Sequence, residues 1–246
     1  MSIFSLIRRA PKRASAVALM IAAAIIVPAT LLAYGPERPQ TYTYEHPADH
    51  VTFNSIPDNP DVGDERNFVR IKEAGNSTTY GNSVTLQPGK TYQVMAYYHN
   101  NAASDLNASG VGVAKDVTLR MQMPASVNAG SDAKVTGFIN SSNATPKSVW
   151  DSATATNSGS SELYLRYVPG SAKVTSNGAV NGATMPDSLF TTGANLGYDS
   201  LNGILNGCNQ YAGYVVFEFT VDQPNFTVKK QVSVDNGKTW STDAKT

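Results

Sequence analysis

The sequence has almost no cysteine, because Cys208 is the only one among 246 residues. One cysteine cannot form an internal disulfide, and it excludes zinc or iron–sulfur centres held by several thiolates. Histidine is scarce as well, with three residues, and no Gly-x-Ser-x-Gly motif marks a serine nucleophile. We therefore expect the protein not to be an enzyme, and we expect no cofactor apart from the calcium candidate considered below.

Charged residues are also few, at 15% of the chain, while serine, threonine and asparagine together make up 65 residues. Such a composition is typical of an exported protein rich in turns and strands. After Ala33 the chain has 15 basic and 19 acidic residues, a net charge of −4. A mildly acidic domain has no electrostatic attraction for nucleic acid, so we expect no nucleic-acid partner.

No acidic residue precedes Glu37, and a basic cluster stands before a long uncharged run. The cluster consists of Arg8, Arg9, Lys12 and Arg13, and residues 14–34 carry no charge. A secretory signal needs about 7–15 apolar residues and a membrane-spanning helix about 20. Residues 1–34 are therefore predicted to be a signal peptide or a signal anchor held in the membrane. Both interpretations place the rest of the chain in the cell envelope or outside the cell, after a short linker at residues 35–40.

Helical periodicity is absent beyond Gly35, and apolar and polar residues alternate with a period of two instead. The alternating runs are 91–99, 117–123, 162–168, 215–222 and 226–234. Glycine, proline and asparagine separate these runs, as expected for turns. Many short strands with frequent turns predict an all-β fold, an antiparallel sandwich over residues 41–224, with a closed barrel as the alternative. The run at 91–99 is apolar on both faces and is predicted to be a central strand.

The alternation also predicts which side chains face the interior, because successive side chains of a strand point to opposite faces. The predicted core comprises Val94, Tyr98, Val117, Leu119, Met121, Leu163, Leu165, Val215, Phe217 and Phe219. In the last run, Val232 and Val234 are assigned to one apolar face together with Phe226 and Val228. Residues 225–246 are thus predicted to form a strand and a hairpin, with the start of a further repeat as the alternative interpretation.

Residues 233–240, Ser-Val-Asp-Asn-Gly-Lys-Thr-Trp, match the Asp-box pattern without a gap. In this pattern the Asp235 carboxylate bonds backbone amides, Gly237 takes a positive φ, and Trp240 packs beneath the turn. Sialidases carry several copies of the box, whereas this chain has one. We therefore interpret the motif as a structural hairpin.

Two clusters are candidate metal sites. Four carboxylates, those of Asp58, Asp61, Asp64 and Glu65, stand within eight residues, and hard oxygen ligands on one loop suit calcium. Their spacing does not match an EF-hand, and a solvated acidic turn is the alternative. His46 and His50, which bracket Asp49, offer a weaker candidate zinc site, since no further nearby ligand is evident for a tetrahedral site.

Two further residues have chemistry that the pattern leaves open. His99 ends an apolar strand and is expected at its rim rather than as a base. Cys208 stands in a polar loop, where it can be a free thiol, pair with another chain or, less plausibly, serve a cysteine hydrolase.

Three segments resemble a known bacterial repeat. They are Thr91–Asn101 (TYQVMAYYHNN), Lys115–Pro124 (KDVTLRMQMP) and Tyr164–Ala172 (YLRYVPGSA). Together they resemble the Ig-like repeat called domain of unknown function eleven, which occurs in bacterial cell-surface proteins, including those of small-genome candidate-phylum bacteria. The resemblance implies an Ig-like antiparallel β-sandwich and a surface location. The activity of that family is unknown, so the resemblance implies no site residues.

These observations favour a non-catalytic cell-surface or envelope protein with a structural or adhesive role. Its expected partners are the membrane, through the N-terminal segment, and a surface glycan or protein. The alternative is a secreted carbohydrate-active hydrolase or glycan-binding module, and a hydrolase would need two carboxylates about 5–10 Å apart in one cleft. A passive stalk, the third possibility, would lack a concave patch lined by aromatic side chains.

Overall fold

The computed structural model describes residues 34–38, 42–75, 79–224 and 230–242. These residues form twelve strands and three short 3-10 helices. The strands are Tyr34–Gly35 (β1), Val69–Glu73 (β2), Ser83–Thr85 (β3), Thr91–Tyr98 (β4), Thr118–Gln122 (β5), Ser126–Val127 (β6), Ser131–Asn140 (β7), Ser148–Asn157 (β8), Leu163–Tyr167 (β9), Lys173–Ser176 (β10), Ala194–Asn195 (β11) and Gly213–Asp222 (β12). The helices are Ser104–Leu106, Asp187–Phe190 and Asn209–Tyr211.

The strands form two six-stranded sheets. The first sheet has the order β1-β8-β7-β5-β11, and β3 joins its β8 strand in parallel. The second sheet has the order β2-β4-β12-β9-β6, and β10 also pairs with β12. All other strand pairs are antiparallel, so the predicted all-β fold with two antiparallel sheets is confirmed in outline.

The space between the sheets holds the predicted apolar core. All ten residues of that core are buried, with at most 4% of each exposed. Burial alternates without interruption along β12, as a strand with one face on a core requires. β4 lies inside its sheet between β2 and β12, as its two apolar faces predicted.

At one side of the sandwich the two sheets are connected by residues 81–85, which pair first with one sheet and then with the other. Gly81 exchanges two backbone hydrogen bonds with Ile71 of β2, at 2.8 and 3.0 Å, and β3 then pairs with β8 of the other sheet. Nearby, the Asp151 carboxylate of β8 accepts the N–H of Val69 at 2.7 Å. These bonds tie the two sheets together at this side.

Residues 34–38 are packed onto the sandwich. Tyr34 and Gly35 pair with β8, and a Cβ at Gly35 would lie 2.7 Å from the ring of Trp150. Arg38 is 2% exposed and its Nε donates to the Asn54 carbonyl at 2.9 Å. The linker expected at 35–40 therefore needs correction over 35–38, which belong to the folded domain.

The N-terminal signal segment, residues 1–33, lies outside the described residues. Within the part of the chain that the structure describes, no helix has both the length and the apolar composition to cross a membrane.

The C-terminal hairpin forms the predicted Asp-box turn. Asp235 Oδ1 accepts the Thr239 N–H at 2.8 Å, Gly237 has φ +83°, and Val232 bridges Ser241. Trp240, however, is 61% exposed, so the expectation that it packs beneath the turn is wrong.

The apolar face assigned to the last run is exposed to solvent at the residues that the structure describes. Val232 is 38% exposed and Val234 79% exposed. Residues 225–229 of that run, including Phe226 and Val228, lie outside the described residues.

Candidate functional site

One end of the sandwich is covered by a long irregular segment, residues 48–67. The segment runs beside residues 99–103, which continue β4, and bridges them at two points, Ala48 to Ala102 and Phe53 to Asn100. Residues 51–56 are all buried although none lies in a strand longer than a single bridge. Irregular backbone that is buried needs partners for its polar groups, and this end of the domain provides them through polar side chains.

We define the polar network as the buried side chains of Asn54, Asn59, Glu65, His99 and Asn101. Glu65 is its centre, and its side chain is not exposed at all. Its Oε1 accepts hydrogen bonds from Asn59 Nδ2 at 2.6 Å and from His99 Nδ1 at 2.7 Å. Its Oε2 accepts from Asn101 Nδ2 at 2.7 Å. Three donors thus offset the burial of one carboxylate.

Asn54 joins the network to the backbone of β4 and to residues 34–38. Its Nδ2 donates to the Tyr97 carbonyl at 2.9 Å, and its Oδ1 accepts the His99 N–H at 2.8 Å. Its φ of +45° is a conformation that asparagine tolerates better than most residues. Because Arg38 also donates to its carbonyl, Asn54 connects three separate parts of the chain.

His99 is not the rim residue that its position in the sequence suggested. It is 2% exposed, and the carboxylate on its Nδ1 holds the ring in one orientation. Its Nε2 is buried and has no hydrogen-bond partner among the described residues. The alternating pattern missed this role, since Glu65 is 34 positions away in the chain.

The outer face of the second sheet carries a concave surface, which we call the tyrosine groove. One depression in it has a volume of about 300 Å³. The aromatic lining consists of Tyr80, Tyr97, Tyr214 and Phe68, and Met95 of β4 and Val62 also line the groove. A second depression of about 270 Å³ shares Asp61, Val62, Tyr97 and Tyr214 with the first and extends along β10. The two form one continuous groove.

The tyrosines of the groove are held in place by their neighbours. The rings of Tyr97 and Tyr214 lie 5.1 Å apart, and Lys72 Nζ lies 4.7 Å from the ring centre of Tyr80. The Tyr80 hydroxyl donates to Gln93 Oε1 at 3.1 Å, and Gln93 Nε2 donates to Glu218 at 2.9 Å. The aromatic surface is therefore fixed before any ligand arrives.

Burial raises the pKa of Tyr97, Tyr80 and Tyr214, and nearby carboxylates raise each pKa further. In Tyr97 the second cause is Glu65 of the polar network. The hydroxyls of Tyr97 and Tyr80 already donate within the protein, to Asn209 and Gln93.

The four residues of the calcium candidate are described, and their carboxylates serve different partners. Asp58 Oδ1 accepts the Tyr44 N–H at 3.0 Å, and Asp64 is ion-paired with Arg66 at 2.7 Å. Glu65 belongs to the polar network, and Asp61 accepts from Asn209 at 3.3 Å. No cluster of three potential metal-binding side chains occurs in the described ranges. The predicted convergence on one calcium ion is therefore not what this loop forms.

At the candidate zinc site, only His50 and Asp49 contact each other, and they do so near the surface. His50 Nδ1 lies 2.7 Å from Asp49 Oδ1, where hydrogen bonding to His50 lowers the pKa of Asp49. His46 is exposed and its backbone N–H bonds Thr43.

The tyrosine groove is a feature that the sequence reading did not identify. Tyr97 and Tyr214 occupy the positions of β4 and β12 that alternate with the core positions, and they face each other across the strand pair. The only signal was that β4 is apolar on both faces. Comparisons of the chain with protein-family models, curated proteins and solved structures found no match.

Proposed function

We propose that this chain is a non-catalytic, exported protein of the cell envelope whose Ig-like β-sandwich binds a neutral surface glycan in the tyrosine groove. The observation that carries the proposal is the groove itself, where the partly exposed rings of Tyr80 and Tyr214 lie beside hydroxyl and amide groups and the buried Tyr97 completes the lining. Sugar rings present apolar C–H faces that pack on aromatic rings, and their hydroxyls bond polar side chains such as these.

The charges around the groove favour a neutral ligand. Arg70 and Lys72 line it together with Asp61, Asp64 and the fully buried Glu65, so groups of both charges are present. The Arg70 guanidinium is also occupied, because it donates to the carbonyls of Asn67 at 3.1 Å and Val62 at 2.8 Å. We therefore expect no strong electrostatic attraction of the groove for either an anionic or a cationic ligand.

The experiment is a binding measurement with a panel of immobilised neutral oligosaccharides. Tyr214→Ala removes a groove aromatic, and we expect it to weaken binding about tenfold or more. Tyr164→Ala is the matched control, since Tyr164 is an exposed tyrosine of the same sheet that does not line the groove. Equal binding by both variants would contradict the assignment of the groove.

The same panel tests the two alternatives. Release of new reducing ends by the wild-type protein, lost in Asp61→Asn, would support a carbohydrate-active hydrolase and contradict the non-catalytic role. A complete absence of binding to the panel would favour a passive stalk.

Export is tested separately with a reporter enzyme that is active only outside the cytoplasm, fused after Thr246. The basic cluster and uncharged run of residues 8–34 lead us to expect activity. An inactive reporter, in a fusion that is produced at full length, would contradict export.

A further inference from the structure

The tyrosine groove runs across the strands of the second sheet rather than along them. Tyr97 of β4 lies opposite Tyr214 of β12, and Tyr214 lies opposite Thr175 of β10. Directly opposite residues of antiparallel strands point to the same face of a sheet, so these three side chains form one row. Lys72 of β2 lies over the ring of Tyr80, which places Tyr80 on the β2 side of the groove. From β2 to β10 the groove crosses four neighbouring strands, about 14 Å at the usual strand spacing.

The two depressions of the groove have different linings. The first, of about 300 Å³, includes aromatic and apolar side chains such as Tyr80 and Met95, and we call it the aromatic subsite. The second, of about 270 Å³, is lined by hydroxyl and amide side chains, and we call it the amide subsite. Its polar lining comes from Thr175, Ser176, Asn177 and Asn209. Tyr214, whose ring is partly exposed, lines both depressions and therefore lies between them.

Two polar side chains of the amide subsite are free to bind a ligand. Thr175 and Asn177 are exposed, and among the described residues neither the Thr175 hydroxyl nor the Asn177 side-chain amide has a hydrogen-bond partner. Asn209 is held in place between them and the aromatic subsite, because it accepts from the Tyr97 hydroxyl at 3.3 Å and donates to Asp61 at 3.3 Å. Hydroxyl and amide groups both donate and accept hydrogen bonds, as the hydroxyls of a sugar do.

Asp61 stands where the two subsites meet. Its side chain is exposed and lines both depressions. Its Oδ2 accepts from Asn209, whereas its Oδ1 has no partner among the described residues. An ionised acceptor forms stronger hydrogen bonds than a neutral one, so Oδ1 can bind a sugar hydroxyl at the junction. Asp61 is also the only charged residue of the described chain that lines the amide subsite, which disfavours an anionic sugar there.

We propose that the tyrosine groove is an extended site, in which a linear neutral oligosaccharide lies across β4, β12 and β10 with one sugar ring in each subsite. The proposal rests on the glycan-binding function proposed above and specifies its ligand as a chain of two or more rings. Aromatic rings pack against the apolar face of a sugar, and polar side chains bond the hydroxyls at its edge. A single ring occupies one subsite, whereas a longer chain gains the contacts of both without a second loss of translational freedom.

The dependence of affinity on chain length tests the proposal in the full-length wild-type protein. The probes are soluble β-1,4-linked oligomers of glucose, mannose and N-acetylglucosamine, each from the monosaccharide to the hexasaccharide. Isothermal titration measures the tighter affinities, and ligand-observed NMR measures the weak ones. In at least one series we expect the trisaccharide to bind about tenfold or more tightly than the monosaccharide. A site for one ring would gain only about threefold, from the three rings that the trisaccharide presents.

A variant of the amide subsite tests where the additional affinity comes from. Thr175→Ala combined with Asn177→Ala removes the two free polar groups, and both positions are exposed, so we expect the fold to be kept. The ratio of trisaccharide to monosaccharide affinity should fall from about tenfold to about threefold or less. Asn128→Ala is the matched control, because Asn128 is an exposed asparagine that lines neither depression, and it should leave the ratio unchanged.

The possible results separate this proposal from the function on which it rests. A trisaccharide gain of about threefold or less in every series, or an unchanged ratio in the double variant, would overturn the extended site. If Tyr214→Ala still weakened binding in that case, the tyrosine groove would remain the glycan site, with room for one ring. Absence of binding by every oligomer would contradict both the extended site and the proposed glycan binding.

Discussion

The interior between the two sheets is filled with apolar side chains, whereas the end closed by residues 48–67 buries a carboxylate, an imidazole and several amides. The first region comes from regular strands that satisfy their backbone hydrogen bonds within the sheets. In the second, irregular backbone relies on side chains such as Asn54 and Asn101 for its hydrogen bonds.

The two regions therefore tolerate change differently. Apolar burial is non-directional and depends on area and volume. A buried polar group depends on a specific partner at a specific distance, and losing that partner leaves the other group unsatisfied. We expect the apolar core to respond to the size of a side chain and the polar network to respond to a single exchanged atom.

The largest expected effect is in the apolar core. Phe217 is completely buried in β12, and its ring contacts those of Tyr167 and Phe190. Replacing it with alanine should lower the free energy of unfolding by about 3–5 kcal/mol, measured by chemical denaturation. Glu218→Ala, on the outer face of the same strand, is the control and should cost much less. Equal losses would contradict the assignment of the two faces.

In the polar network we expect the exchange of one atom to lower the free energy of unfolding. Glu65→Gln keeps the size of the side chain but turns one acceptor oxygen into a donor that faces donors. We expect a loss of about 2–3 kcal/mol in the free energy of unfolding. Glu162→Gln is the matched control, because Glu162 accepts from the Ser126 and Tyr164 hydroxyls at the surface. A loss as small as that of the control would mean that the network is not needed for stability.

The buried carboxyl group of Asp151 should make the stability of the domain depend on pH. Burial raises the pKa of Asp151 to about 7, although the Val69 N–H and other donors oppose the change. In the unfolded chain the carboxyl titrates near 3.8, so the folded state holds its proton more tightly. The contribution of Asp151 is fully present below that value and is lost as the pH rises through about 7.

Asp151→Asn should remove this change, which has a slope of at most about 1.4 kcal/mol per pH unit for one proton. The asparagine oxygen can still accept the Val69 N–H, so the two sheets stay joined. Denaturation midpoints measured between pH 4 and 7 (about the titration range of this group) check the prediction. An unchanged slope in the variant would assign the pH dependence to other groups.

The smallest effect should be at the C-terminal hairpin. Hydrogen bonds from Thr239 and Ser233 lower the pKa of Asp235 to about 2 and hold the turn together. Asp235→Ala should therefore speed amide hydrogen exchange at Gly237 and Thr239, both of which donate within this turn. The melting temperature of the sandwich should not change. A lower melting temperature would show that the hairpin stabilises the domain.

The apolar region was predictable because its signal is local. Phe217 and Phe219 are two residues apart, and a strand places such pairs on one face wherever it lies in the fold. The same rule places Val232 and Val234 on one face, and both lie on a hairpin that leaves them exposed. Alternation predicts that two residues share a face, and it does not predict that another sheet will cover that face.

Strands β4, β5, β9 and β12, the inward face of each and the Asp-box turn followed from the order of residues alone, since each depends on neighbours a few positions apart. The long strands β7 and β8 were not among the predicted runs. The polar network and the tyrosine groove depended on the folded chain. Glu65 meets His99 across 34 positions, and Asn209 reaches Asp61 across 148. Such contacts depend on the path of irregular segments, whose sequences have no periodic pattern of apolar residues from which that path could be predicted. A carboxylate in a turn-rich stretch looks the same in the sequence whether it faces water or an imidazole, and burial separates the two cases only once the sheets have packed.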